Sequence, residues 1–180
     1  MTIAILALQG AFAEHQQMFR QLGVDTFLVR NLDDWQRHKD GLVIPGGEST
    51  AMMRIMRDEC LFEPLRQSIL GGLPVFGTCA GLIMLDDDHL ATMDIHARRN
   101  AYGRQLGSFH HEGAFGSMEK VPMTFIRAPY IERAGQDVEI LSVVDGRIVA
   151  ARQGHQFVTA FHPELDNDTR IHQCFIDMCE

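Results

Sequence analysis

Cys79 stands in the segment Pro74-Val75-Phe76-Gly77-Thr78-Cys79-Ala80-Gly81-Leu82-Ile83. The short apolar run headed by Pro74 predicts a buried strand, and residues 81–85 predict the opening of a helix. This is the strand–elbow–helix setting of a nucleophile, with Cys where other hydrolases carry Ser. Gly77 and Gly81 bracket the thiol symmetrically. A sharp elbow brings the positions two before and two after the nucleophile together, and side chains there would clash. A thiol at a helix N-terminus also feels the positive end of the helix dipole, which favours thiolate. A buried structural Cys beside a tight turn would carry the same letters, so the rest of the chain has to supply a base.

Phe161-His162-Pro163-Glu164 supplies a base and an orienter for it. In an extended segment His162 and Glu164 point to the same side, and Pro163 biases the residue before it to an extended conformation. The carboxylate can then meet one imidazole nitrogen while the other faces a thiol. The plain alternative is a surface turn. His110-His111 is a rival pair, but strand neighbours face opposite ways and no third ligand is near, so no metal site is predicted. Asp86-Asp87-Asp88 reads as a solvated loop.

Pro45-Gly46-Gly47-Glu48-Ser49-Thr50 is the third chemical feature. Two glycines between a strand and a helix let backbone N–H groups turn toward a ligand, as an oxyanion hole or a carboxylate cradle. Ser49 can also serve as a helix N-cap. The segment is not G-x-x-x-x-G-K-[ST], so a phosphate-cradling loop is not expected.

The elements that must position these residues follow from the apolar pattern. Residues 3–8 are nearly all apolar, the mark of a strand buried on both faces. Phe12, Met18, Phe19 and Leu22 recur at helical spacing up to Gly23. Strands are predicted over 24–29, 42–44 and 75–77. Helices are predicted after Gly47, with Met52, Met53, Ile55 and Met56 inward, and over 62–70. Strand–helix alternation implies right-handed βαβ units, a doubly wound three-layer α/β fold and a mostly parallel central sheet. The last third reads as short strands over 138–144, 147–152 and 156–161. Asp145-Gly146 is a hairpin turn, and 168–179 is an amphipathic helix.

The chain has 180 residues, expected to form one domain over 1–180. Its net charge of −8 argues against a nucleic-acid partner. No apolar run approaches the ~20 residues of a membrane span. The N-terminal residues read as a first strand, not a signal peptide. The four cysteines, 60, 79, 174 and 179, show no C-x-x-C pairing, which predicts a reduced, cytoplasmic protein.

Gly77-Thr78-Cys79-Ala80-Gly81 with His162-Pro163-Glu164 resembles the class I glutamine amidotransferases, whose fold is flavodoxin-like and whose triad is Cys–His–Glu. Five further segments are similar to the glutaminase subunits of pyridoxal 5′-phosphate synthase. They are Ala7-Leu8-Gln9-Gly10, the segment from Pro45 to Thr50, Arg99-Asn100-Ala101-Tyr102-Gly103-Arg104-Gln105, Phe125-Ile126-Arg127-Ala128-Pro129 and Phe161-His162-Pro163-Glu164-Leu165. The resemblance implies hydrolysis of L-glutamine by Cys79, His162 and Glu164. It implies oxyanion donors near Gly46, Gly47 and Ala80, and glutamine contacts from Gly47, Glu48, Ser49, Arg99, Ile126 and Arg127. Arg99 or Arg127 would meet the free carboxylate and Glu48 the ammonium. It implies no cofactor and no metal, and a (β/α)8-barrel synthase partner that receives the ammonia in a hetero-oligomer. The alternatives are a glutaminase subunit of another pathway, such as histidine synthesis, and a non-enzymatic regulatory relative. One departure from the family is the segment 85–98, which is several residues short.

Overall fold

In chain order the elements are β1 (Thr2–Leu6), α1 (Phe12–Gln21), β2 (Asp25–Val29), α2 (Leu32–Trp35), β3 (Gly41–Ile44), α3 (Ser49–Asp58), α4 (Phe62–Leu70), β4 (Val75–Thr78) and α5 (Ala80–Leu85). Then come β5 (Ile95–Arg98), β6 (Ser108–Phe115), β7 (Met118–Ile126), β8 (Tyr130–Ala134), β9 (Glu139–Val144), β10 (Arg147–Gln153), β11 (Gln156–Thr159), a 3-10 turn at Pro163–Leu165, and α6 (Arg170–Cys179). They come from a computed structural model that describes residues 1–99 and 108–180. The motif residues 100–105 lie outside the described residues.

The main sheet runs β2-β1-β3-β4-β11-β10-β8-β5, with β9 paired to β10. β2, β1, β3, β4 and β11 are mutually parallel. They are short and apolar because both faces are covered: β3 and β4 have no exposed residue. The order reverses at β1, so right-handed crossovers put their helices on opposite faces. His172 of α6 packs on His15 and Phe19 of α1 on one face. On the other face α5 packs so closely on β3 that a Cβ on Gly81 would lie 2.0 Å from the Ile44 carbonyl oxygen. The expected doubly wound fold is therefore present.

The antiparallel part is larger than the sequence predicts. β10 pairs antiparallel with β11, β8 and β9, and β8 with β5. The expected Asp145-Gly146 turn joins β9 to β10, with φ of +51° and +75°. β6 and β7 form a separate hairpin. It reaches back to the parallel half, because the His162 N–H donates to the Thr124 carbonyl at 2.8 Å.

Among the described residues, no helix is long and apolar enough to cross a membrane. All four cysteines are unpaired.

Candidate active site

The ends of β1, β3, β4 and β11 lie side by side, and each leads into one of the segments singled out above. An open parallel sheet forms its ligand crevice at the carboxyl ends of its strands, beside the point where strand order reverses. Segment after segment, the sequence delivers its polar groups to that crevice.

Cys79 follows β4 directly. Its φ of +52° is in the left-handed region, which a non-glycine residue adopts only under constraint. The constraint is visible on both sides. The Cys79 N–H donates to the Thr159 carbonyl at 2.7 Å, and the Cys79 carbonyl accepts from Leu82 at 3.1 Å. The bracketing glycines are required as predicted: a Cβ on Gly77 would lie 2.7 Å from the Gly81 carbonyl oxygen. The thiol is thus lifted to the mouth of the crevice at the N-terminus of α5. Ala80 opens that helix, so its N–H has no intrahelical acceptor and is available to a ligand.

His162 lies beyond the end of β11 and is buried. Its Nδ1 meets Glu164 Oε1 at 2.6 Å. The expected extended His-Pro-Glu segment is only half right. His162 has φ −106° and ψ 85°, but Pro163–Leu165 curls into a 3-10 turn, with proline near its start. The turn, not strand alternation, brings the carboxylate back to the ring. Burial opposes a charge on His162, yet hydrogen bonds with Cys79 and Glu164 outweigh it and raise its pKa to about 10. The imidazolium is therefore favoured between the thiol and the carboxylate.

The glycine loop after β3 is tied to the loop after β1. The Gly46 carbonyl accepts from Ala11 N–H at 2.9 Å, and Gln9 Oε1 accepts from Glu48 N–H at 2.6 Å. Gly10 has φ +101°, and a Cβ there would lie 1.8 Å from the Gly46 oxygen. A Cβ on Gly46 would lie 2.3 Å from His162 Cε1. Side chains are excluded here so that two loops and an imidazole can converge.

A cavity of about 300 Å³ opens at this point. Gly46, Gly47, Cys79, Ile126, Arg127 and His162, all singled out in the sequence, line it. Gly10, Ala11 and Leu165 complete the wall. Arg127 is exposed and has φ +45°, and Ile126 and Leu165 are exposed apolar residues beside it. The other expected residues sit outside the wall. Ala80 is buried below Cys79, and Glu164 behind His162. Ser49 is buried and is not the N-cap of α3. Glu48 takes that role, accepting from Thr50 N–H at 3.1 Å and Ala51 N–H at 2.8 Å. Those backbone bonds, Ala51 first, lower its carboxyl pKa. Arg99 donates to Thr50 Oγ1 at 3.0 Å and faces a neighbouring hollow with Arg54, Arg57 and His89.

The Asp86-Asp87-Asp88 run is not simply solvated. Asp86 is 1% exposed. It accepts from Asp88 N–H, His89 Nδ1 and Ala97 N–H at 3.0, 2.6 and 3.2 Å. It stitches the short segment between α5 and β5, which a reading of charge alone could not show. His15, directly behind Glu164, was also missed. A lone His among apolar helix residues carries no signal of its own.

The sequence matches the SNO glutamine amidotransferase family over residues 5–180. It is 54% identical over 190 positions to the pyridoxal 5′-phosphate synthase subunit PdxT of Streptococcus pneumoniae (strain CGSP14), covering 100% of this chain and 98% of that protein. A crystal structure of a glutamine amidotransferase superposes with a TM-score of 0.92 at 34% identity, covering 98% of each chain. A chain of PurLQS from Thermotoga maritima shares the fold at 15% identity, with a TM-score of 0.69 over 99% of each chain.

Proposed function

Because the chain belongs to the SNO glutamine amidotransferase family, we propose that it hydrolyses L-glutamine to L-glutamate and ammonia through a Cys79 thioester. It passes the ammonia to a synthase partner that makes pyridoxal 5′-phosphate. The observation that carries the reading is geometric: Cys79 and His162 line one cavity, and Glu164 holds the His162 ring from behind at 2.6 Å.

The Cys79 thiolate attacks the side-chain amide carbon, forming a C–S bond and an oxyanion. Ala80 N–H and, once the partner has set the loop, an N–H of Gly46-Gly47 receive that oxyanion. On collapse the C–N bond breaks, and His162 gives its proton to the departing ammonia. Water then attacks the thioester, His162 takes the water's proton, and the C–S bond breaks to return thiolate. Glu164 holds the imidazole in the orientation both steps need.

Gly47, Glu48, Ser49, Arg99, Ile126 and Arg127 form the glutamine site. Among the described residues Arg127 is the cation that lines the cavity, so it meets the substrate carboxylate. Glu48 keeps free lone pairs for the ammonium. Arg99 joins from the far side of Glu48, whose charge it already stabilises.

Free ammonia protonates at neutral pH and loses its nucleophilicity, so a partner with a sheltered path makes chemical sense. We assign that partner as a (β/α)8-barrel synthase in a hetero-oligomer, and the chain as a single cytoplasmic domain over 1–180. The Ala11–Gly46 bond gives the partner a lever: docking at residues 9–11 shifts the glycine loop and completes the oxyanion hole. The test is glutamate release from glutamine, with and without the synthase. Strong stimulation of kcat is expected, and no glutaminase activity in the assembled pair would refute the reading.

A further inference from the structure

The carboxylate that orients His162 has a second oxygen that the mechanism leaves unexplained. Glu164 Oε2 is buried and, among the described residues, has no hydrogen-bond partner within the usual distance. A buried carboxylate oxygen without a donor is costly and rare. His15 Nε2 lies 3.5 Å away, with both side chains fully buried. His15 comes from α1, on the opposite side of Glu164 from His162.

The ring of His15 is fixed on every side. Its Nε2 also lies 3.2 Å from Thr78 Oγ1, the residue before the nucleophile. Its Nδ1 lies 2.9 Å from His172 Nε2 on α6. Phe76 meets it edge-on, with centroids 5.9 Å apart. Beyond it, His172 Nδ1 has no partner among the described residues. The charged or titratable groups around His15 are Glu164, His172 and, through Glu164, His162.

These contacts decide the tautomers. Suppose His172 carried its proton on Nδ1. That N–H would be buried and unpaired, and His15 would have to donate through Nδ1. Its Nε2 lone pair would then face the Glu164 carboxylate, acceptor against acceptor. With the proton on His172 Nε2 instead, His172 donates to His15 Nδ1, and His15 Nε2–H donates to Thr78 Oγ1 with Glu164 Oε2 3.5 Å from the same nitrogen. The second arrangement leaves a single lone pair unpaired and satisfies every other atom of the pair.

We propose that His15 is a positioning residue for the reaction. Its Nε2–H secures the second oxygen of Glu164, and His172 sets its tautomer, so that the chain His172–His15–Glu164–His162–Cys79 acts as one hydrogen-bonded unit. Both outer histidines are neutral. Desolvation, first, and then the neighbouring histidines hold the His15 pKa well below the ordinary value, and burial lowers that of His172 to about 3. A neutral donor can orient the carboxylate without cancelling the charge that His162 needs. The inference rests on the glutaminase reading for its effect on rate, but its geometry does not.

The test has one arm in the unaltered protein and one in variants. Nitrogen NMR of the wild-type chain should find both His15 and His172 protonated on Nε2. Nδ1 protonation of His15 overturns the proposal whether or not the chain hydrolyses glutamine. In the complex with the synthase, His15→Leu should lower kcat by about 10- to 100-fold, the range for a lost hydrogen bond to a buried charge. KM should change less than about twofold, because His15 does not touch the cavity. His15→Gln, which can place an N–H near the same spot, should recover most of the rate. In a Glu164→Gln background the effect of His15→Leu should nearly vanish. A loss of the same size in that background would show general structural damage and overturn the proposal. An inactive wild-type complex would instead refute the glutaminase reading while leaving the NMR arm to decide this one.

Discussion

The loops after the parallel strands and the β6–β7 hairpin both border the cavity, but they are built on different terms. Around the ends of β1, β3 and β4 the backbone is held by exclusion: an added Cβ at Gly10, Gly46, Gly77 or Gly81 would come within 1.8–2.7 Å of another group. Cys79 and His162 have no freedom to move without disturbing a neighbouring loop. The end of β7 presents Ile126 and Arg127 to solvent, one to two residues beyond the Phe125 ring contacts and the Thr124 bonds to His162 and Asp166 that anchor the strand. Reacting atoms need sub-ångström placement, and close-packed turns give it. A substrate clamp has to admit and release glutamine, so a looser rim suits it.

The comparison predicts that damage to the first region lowers kcat and damage to the second raises KM. The largest effects belong to the triad. Cys79→Ala should reduce glutamine hydrolysis by about 10⁴–10⁶-fold with the fold retained, and His162→Asn should approach that loss. The double variant should be scarcely worse than either single, since the residues act as a unit. Steady-state rates in the assembled complex check this, and additive losses would break the assignment. Next comes Gly46→Val. It should remove most of the partner's stimulation, about 10²–10³-fold, because the side chain collides with His162 and blocks the loop. A fully stimulated Gly46→Val enzyme would show that steric exclusion at Gly46 has no catalytic role. Arg127→Ala should raise KM by about 10- to 100-fold with kcat little changed, as expected for one charged contact made equally in ground and transition states. A drop in kcat alone would move Arg127 into the reacting group.

The smallest effect concerns stability. Burial lowers the His172 pKa to about 3 in the folded protein, against about 6.5 when unfolded. Between those values the unfolded chain binds more protons, so this contribution is present above about pH 6.5 and lost as pH falls toward 3. His15 adds in the same direction. His172→Phe, which fits among Phe19, Phe76 and Phe175, should flatten the acid limb of the denaturation midpoint against pH. Parallel curves for variant and wild type would contradict the buried neutral state.

The sequence was legible wherever sterics or apolar burial dictate the residue. α4 begins at Phe62 and ends at Leu70 as expected, because Gly71-Gly72 stops it. The Gly77–Gly81 bracket and the His162–Glu164 pair were readable for similar reasons. β5 to β8 and the short α2 were not anticipated. β6 alternates exposed and half-buried residues, and its polar face, His110 and Glu112 included, hides the apolar one. β7 carries Pro122 inside a strand, which pattern reading counts against it. Arg99 shows the limit at the site. Its type suggested a carboxylate partner, but its position depends on how the chain returns from β5, and it rests on Thr50. The His15 and His172 pair was invisible for a similar reason: two residues 157 apart in sequence meet only through packing of α1 on α6.

The most direct measurement is covalent labelling with an electrophilic glutamine analogue, followed by mass mapping of all four cysteines. Cys60 is exposed and Cys79 is buried, so indiscriminate thiol chemistry favours Cys60. The account predicts that the label falls on Cys79, that excess L-glutamine prevents it, and that His162→Asn slows it sharply. Preferential labelling of Cys60, Cys174 or Cys179, undiminished by glutamine, would contradict it.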